Sequence, residues 1–272
     1  MPELPEVESA RRVIEGSALD RRIAAVDDSD EFVCRPHRTG DLSRALVGRR
    51  LTAVHRRGKS LWCDTSGVGR GRKPGPALGI HLGMSGKIVI ADRVGREVEG
   101  GDYWDRERAP GDHRFSRFAL TFTDGGAMIL VDPRRLGRVR LDPPVDLLGP
   151  DARTITPAAF RAAMSSGTAP VKARLLDQSA VAGIGNLLAD QILWQAKVFP
   201  GRPIRELDAN AVGRLQRATR RSIEQAVARG GVHTLSLIEH RRPGGRCPRD
   251  GSPLTHGRFG GRTTWWCPKE QV

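Results

Sequence analysis

The spacing of apolar residues changes near residue 142, and that change restricts the fold more than any other feature of the chain. From 23 to 141 the apolar positions form short, β-branched runs at 23–26, 51–55, 61–63, 87–90, 118–122, 128–131 and 138–141, separated by Gly and Asp turns. Several short strands in this rhythm predict a β-sandwich. Beyond a linker at 143–150 the spacing becomes helical over 157–164, 171–176, 187–197 and 209–228, with Gly230-Gly231 as the stop. Residues 3–16 also have helical spacing, through Val7, Ala10, Val13 and Ile14. Segments 66–76 and 91–112, rich in Gly, Pro and charge, are expected to be surface loops. The tail from 243 is again rich in Gly and Pro, with 263–266 as a strand candidate. The expected class is α+β: a leading helix and β-sandwich over 1–142, a helical domain over 150–235 and a small hairpin over 240–272.

Charge points to a partner. The 272 residues carry 45 Lys+Arg against 31 Asp+Glu, a formal net charge of +14. The excess is clustered at Arg56-Arg57-Gly58-Lys59, Arg134-Arg135, 138–140, Arg241-Arg242 and 246–249. A polyanion suits such clusters, through phosphate neutralisation and counterion release; the plainer alternative is a solvated basic surface on an arginine-rich chain. No apolar run approaches the roughly 18 residues of a membrane helix, and the charged first residues lack the apolar centre of a signal peptide. Four cysteines, Cys34, Cys63, Cys247 and Cys267, are too few for a disulfide framework, so a reducing cytoplasm is expected.

The chain begins with chemistry. Removal of Met1 would leave Pro2 as a free secondary amine, next to the carboxylate of Glu3. An ordinary α-amino group titrates at about 7.7–8.0, so part of it is nucleophilic near neutrality and can attack a sugar C1′ to form an iminium. Glu6 lies three residues on, within reach of the same helix face, and neighbouring carboxylates raise the pKa of at least one. The plainer reading is also physical: proline favours a first helical turn, and acids suit its positive end.

Four further motifs follow Pro2-Glu3-Leu4-Pro5-Glu6-Val7-Glu8 in order. They are His55-Arg56-Arg57-Gly58-Lys59, His81-Leu82-Gly83-Met84-Ser85-Gly86, Asp132-Pro133-Arg134-Arg135-Leu136-Gly137 and Gly183-Ile184-Gly185-Asn186. Each alone is an ordinary turn. Together, in this order and at these spacings, they closely resemble the bacterial formamidopyrimidine-DNA glycosylase/endonuclease VIII family, from residue 2 to about 267. The resemblance implies a base-excision-repair DNA glycosylase with AP lyase activity, built from a β-sandwich, a helix–two-turn–helix domain and a zinc-finger-like hairpin. It makes Pro2 the nucleophile, Glu3 the acid/base, Glu6 a supporting carboxylate and Lys59 the lysine of β-elimination. Met84, Arg134 and Leu136 become the wedge that fills the space of an everted base. Leu136 stands where the family carries Phe, which puts opposite-base preference in question. Lys172 and Asn186 become DNA contacts, with the backbone N–H groups of the Gly-x-Gly-Asn turn also holding phosphates. Gln191 stands where the family often has Glu.

The tail departs further. The family's four-cysteine zinc hairpin is replaced by Cys247-x2-Asp250-x16-Cys267-x2-Glu270, with the spacing kept. Zinc accepts carboxylate oxygens, but structural sites favour Cys and His. A bound zinc, with His256 as a substitute ligand, and a zincless hairpin held by Trp265 and Trp266 therefore both stand open. Arg262 takes the finger-arginine position, implying phosphate contact and help with δ-elimination. Only residues 232–246 separate Gly231 from Cys247, shorter than the base-covering loop usual in 8-oxoguanine-specific members. That implies a preference for oxidised pyrimidines or for ring-opened purines. The implied partner is duplex DNA with damaged bases or abasic sites, bound by a monomer in a bacterial cytoplasm without membrane contact. A paralogue that binds damaged DNA without turnover is the alternative, and borohydride trapping separates the two.

Overall fold

Helix α1 (Leu4–Ser17) leads into the β half. The structure, a computed structural model, describes residues 2–68, 73–103, 111–165 and 167–272. Parts of both expected loops, 69–72 and 104–110, therefore lie outside the described residues. Two compact units result: Pro2 with Glu6–Val145, and Glu3–Pro5 with Asp146–Val272. Among the described residues no helix is long and apolar enough to cross a membrane.

The first unit holds nine strands: β1 (Ile23–Asp27), β2 (Leu51–Arg57), β3 (Ser60–Thr65), β4 (Leu78–His81), β5 (Lys87–Ala91), β6 (Glu97–Gly101), β7 (Ser116–Phe122), β8 (Ala127–Val131) and β9 (Arg138–Leu141). They form a five-stranded sheet, β1-β7-β8-β5-β6, and a four-stranded sheet, β2-β3-β4-β9. One apolar core joins them. Leu61, Cys63, Ile80 and Val139 of the smaller sheet meet Ile88, Phe118, Leu120 and Leu130 of the larger, and Val7, Ala10 and Ile14 of α1 join the same core. The sandwich is thus built from alternating inward residues, as the sequence predicts. Burial pushes the Cys34 and Cys63 thiols up to about 12, so they act as core residues.

Strand β4 lies outside the apolar runs expected from the sequence. Segment 91–112 is not all loop, because Glu97–Gly101 pairs with β5 as the sheet's edge. Two short helices, α2 (Glu31–Cys34) and α3 (Asp41–Leu46), were also not foreseen.

The second unit contains α4 (Pro157–Ala163), α5 (Val171–Leu176), α6 (Asn186–Ala196), α7 (Ala209–Arg229) and a hairpin, β10 (Thr255–Phe259) and β11 (Arg262–Trp266). Thr156 caps α4 and Asp208 caps α7, each accepting a backbone N–H, and Gly230 ends α7 in the left-handed region. Helix α6 is buried along most of its length and packs against α5, α7 and β11. The expected separate tail thus belongs to the same compact unit as the helices.

Candidate active site

The Gly-x-Gly-Asn turn forms the head of α6. Gly183 has φ +116°, a conformation that favours glycine. Gln178 holds the turn by accepting from Gly183 N at 2.9 Å and donating to Ile184 O at 3.0 Å. Gly185 is needed for a different reason: a Cβ there would lie 2.2 Å from the Glu3 carboxyl carbon. Glu3, fully buried, uses that space. Its Oε2 accepts from Gly185 N at 2.9 Å and Leu188 N at 3.1 Å, and its Oε1 from Leu187 N at 2.8 Å. A carboxylate from the chain's third residue therefore sits on the positive end of α6. Of the turn's N–H groups expected to hold phosphates, Gly185 is thus taken by Glu3 and Gly183 by Gln178. Asn186 remains half-exposed, and its buried Oδ1 has no hydrogen-bond partner among the described residues.

The next turn of α6 also corrects an expectation. Lys172 is not a surface DNA contact but is fully buried. Its Nζ lies 2.6 Å from Asp190 Oδ1 and donates to Thr264 Oγ1 at 2.7 Å and Thr263 O at 3.3 Å. Burial pulls its pKa below the ordinary lysine value, against the opposing pull of Asp190. Asp190 Oδ2 also accepts from Arg241 Nε at 2.8 Å and Trp265 N at 3.1 Å. Gln191 accepts from Leu237 N at 2.9 Å, a structural contact. Arg262 itself is exposed, directly after the two-residue Gly260-Gly261 turn whose φ values are +58° and +72°.

One turn later, Trp194 Nε1 donates to Cys247 Sγ at 3.3 Å. Cys247, Asp250 and Cys267 offer ligand atoms within 4.8 Å of one another, a group able to hold a metal ion. Ser252 Oγ lies within the same cluster, 2.6 Å from Asp250 Oδ1 and 3.1 Å from Cys267 Sγ. Glu270, the expected fourth ligand, instead pairs with Arg249 at 2.7 Å and Lys197 at 2.9 Å. His256 stacks on Trp265 with ring centroids 4.7 Å apart.

In the first unit, Pro2 and Glu6 are buried at the chain head. Lys59 stands in the two-residue turn between β2 and β3, where Gly58 has φ +60°. Arg56 braces that turn, donating to Gly58 O at 3.0 Å and to Glu8 Oε2 at 2.9 Å. Burial pushes the Glu8 carboxyl up, but Arg11 and Arg56 outweigh it and hold the pKa at about 2. His81, to which the sequence reading gave no role, pairs with Ser60 across β3 and β4. Its Nδ1 accepts from Gly83 N at 3.0 Å, which selects the neutral Nε2–H tautomer. Desolvation, then the Lys59 and Arg138 charges, lower its pKa.

Met84, Arg134 and Leu136, the residues expected to form a wedge, come from two loops that are hydrogen-bonded together. Buried Asp132 accepts from Ser85 Oγ at 2.6 Å, Arg134 N at 3.2 Å and Gly137 N at 2.7 Å. Gly83 lies so close that a Cβ would sit 2.4 Å from the Leu136 carbonyl carbon. Leu136 is 41% exposed and Arg134 is exposed, while Met84 is half-buried.

Residues 1–139 match the formamidopyrimidine-DNA glycosylase N-terminal domain, and residues 148–236 match the formamidopyrimidine-DNA glycosylase H2TH domain. A formamidopyrimidine-DNA glycosylase of Mycobacterium ulcerans is 30% identical, over 100% of this chain and 98% of its own length. One from Moorella thermoacetica is 32% identical over 95% of each chain. The Lactococcus lactis Fpg solved with DNA containing an abasic site superposes with a TM-score of 0.78, at 25% identity over 99% of each chain. The chain belongs to the formamidopyrimidine-DNA glycosylase family.

Proposed function

We infer that this protein is a bifunctional DNA glycosylase and AP lyase that removes oxidised or ring-opened bases from duplex DNA. The observation that carries this reading is the seat of Glu3: a carboxylate adjacent in sequence to Pro2, fixed by three backbone N–H groups at the α6 terminus. Its position is set before any substrate arrives. Pro2, freed of Met1, would attack C1′ as the C1′–N bond breaks, and the departing base would take up a proton. Loss of the Pro2 N–H proton and cleavage of C1′–O4′, with a proton delivered to O4′, would then open the sugar to an iminium that acidifies C2′; loss of the C2′ proton expels the 3′-phosphate, which is β-elimination. Loss of the C4′ proton then expels the 5′-phosphate, which is δ-elimination. Glu3 would move protons at the opening sugar and Glu6 would support it. Lys59 and Arg262 would steady the phosphates, with Asn186 as a further contact. Met84, Arg134 and Leu136 would fill the vacated stack.

Pro2→Gly and Glu3→Gln should each lower base excision by about 10²–10⁴-fold, the usual worth of a placed acid or base. Pro2→Gly should also abolish the covalent adduct trapped by borohydride on an abasic duplex. Full cleavage by either variant would overturn the assignment. Intact mass should show Met1 removed in active preparations.

For the tail we propose a zinc ion held by Cys247, Asp250 and Cys267. The three donors lie close enough to share one ion, and zinc there would supply structure rather than reaction chemistry. Elemental analysis should find one zinc per chain, and a strong chelator should lower the melting temperature. A metal-free protein of unchanged stability would favour the hydrogen bonds of Ser252 and Trp194 as the whole support.

A further inference from the structure

We propose that Lys172, Asp190 and Thr264 form a buried positioning relay for Arg262, resting on the assignment of Arg262 to δ-elimination made above. Lysine can only donate. With Lys172 Nζ at 2.7 Å, the Thr264 hydroxyl must accept there and is left one proton to give. It gives that proton to the carbonyl of Arg262 itself, at 3.0 Å. Asp190 fixes the same strand one residue further on, accepting the backbone N–H of Trp265 at 3.1 Å, and neutralises Lys172 at 2.6 Å. Arg241 completes the charge balance at Asp190. The backbone from Arg262 to Trp265 is thus tied from beneath to α5 and α6, while the Arg262 side chain is exposed.

A core built only for packing has no need of this arrangement. Lys172, Asp190 and Thr264 are all 0–1% exposed, and each buried charge costs free energy unless it is well paired. What the three groups share is the backbone of 262–265. A two-stranded ribbon lets its tip swing, and an arginine that meets one phosphate in a transition state works only if that swing is stopped. Asp190 also sits one turn beyond the N–H groups that bind Glu3, so the same helix positions the proposed acid/base and the strand of the proposed phosphate contact.

The test is Thr264→Val, which keeps the shape and strand preference of the side chain and removes the relay. On an abasic duplex the ratio of δ- to β-elimination product should fall about tenfold, approaching that of Arg262→Gln, while borohydride trapping through Pro2 stays at the wild-type rate. Thr264→Ser, which restores the hydroxyl, should recover the ratio. A role in stability alone would lower the melting temperature of Thr264→Val and leave the product ratio at the wild-type value, and that result would overturn the proposal. If Arg262→Gln also leaves the ratio unmoved, the assignment of Arg262 fails first and the relay falls with it. Asp190→Asn provides a second approach: the ratio should fall there too, and an unchanged ratio in a folded variant counts against the relay.

Discussion

Two hairpins in this protein each present a cation at a two-residue turn, and they are braced in different ways. The β2–β3 turn carries Lys59 inside a four-stranded sheet, with neighbours that already fix its register. The β10–β11 turn precedes Arg262 in a sheet that, among the described residues, has two strands. Both are backed by a charged pair, and in each a side chain from that support donates to a carbonyl at or beside the turn: Arg56 to Gly58 O in one, Thr264 to Arg262 O in the other. The pair behind Lys59 is Glu8–Arg56, while the set behind Arg262 is fully buried and includes Lys172 and Asp190. An isolated two-stranded hairpin is marginal in water. The second hairpin therefore depends on its supports for its conformation, whereas the first uses them to refine one that the sheet supplies.

That difference can be broken by experiment. Lys172→Met should be the most damaging change, costing about 3 kcal/mol in urea unfolding because Asp190 stays buried with one partner fewer. A loss below that caused by Glu8→Gln would reverse the comparison. Glu8→Gln should cost about 1–2 kcal/mol near neutrality, after allowance for solvent screening. Its folded pKa of about 2 lies below the ordinary 4.5, so the stabilisation is complete above about pH 4.5 and disappears as pH falls toward 2. The stability gap between wild type and Glu8→Gln should therefore close across that interval; a gap constant from pH 6 to 3 would exclude this pair as its source. Ser252→Ala should have the smallest effect, about 0.5–1 kcal/mol, because among the described residues the hydroxyl's hydrogen bonds are to Asp250 and Cys267 at the hairpin's base. An effect as large as that of Lys172→Met would move the hairpin's main support to the cysteine cluster.

Much of the fold was readable from the chain because apolar period and turn residues are local signals. The strands that escaped have local reasons. β4 is Leu-Gly-Ile-His, and its Gly79 reads as a turn but serves close approach, since a Cβ there would meet Pro143 at 2.7 Å. β6 is Glu-Val-Glu-Gly-Gly, an edge strand whose one apolar side chain, Val98, is exposed, so it leaves no apolar run. α2 and α3, at four and six residues, are too short to show a helical period. Within the site, the motif residues were legible by type and order, and Arg262, Arg134 and Leu136 are exposed. His81 could have been noticed from its place directly before the Leu-Gly-Met-Ser-Gly loop.

The sequence alone determined the sandwich, the helical run after it, the glycines that permit sharp turns and the family motifs in their order. Tertiary structure decided who pairs with whom. A lysine reads the same whether it meets a phosphate or, like Lys172, a buried aspartate. The N–H groups of Gly185, Leu187 and Leu188 look free for any anion until Glu3, more than 180 residues earlier, takes them. Glu270 reads as a ligand until Arg249 and Lys197 claim it. Apolar burial follows a repeating pattern along the chain, but hydrogen bonds and ion pairs are short-ranged and directional, so their partners exist only once distant segments have been brought together.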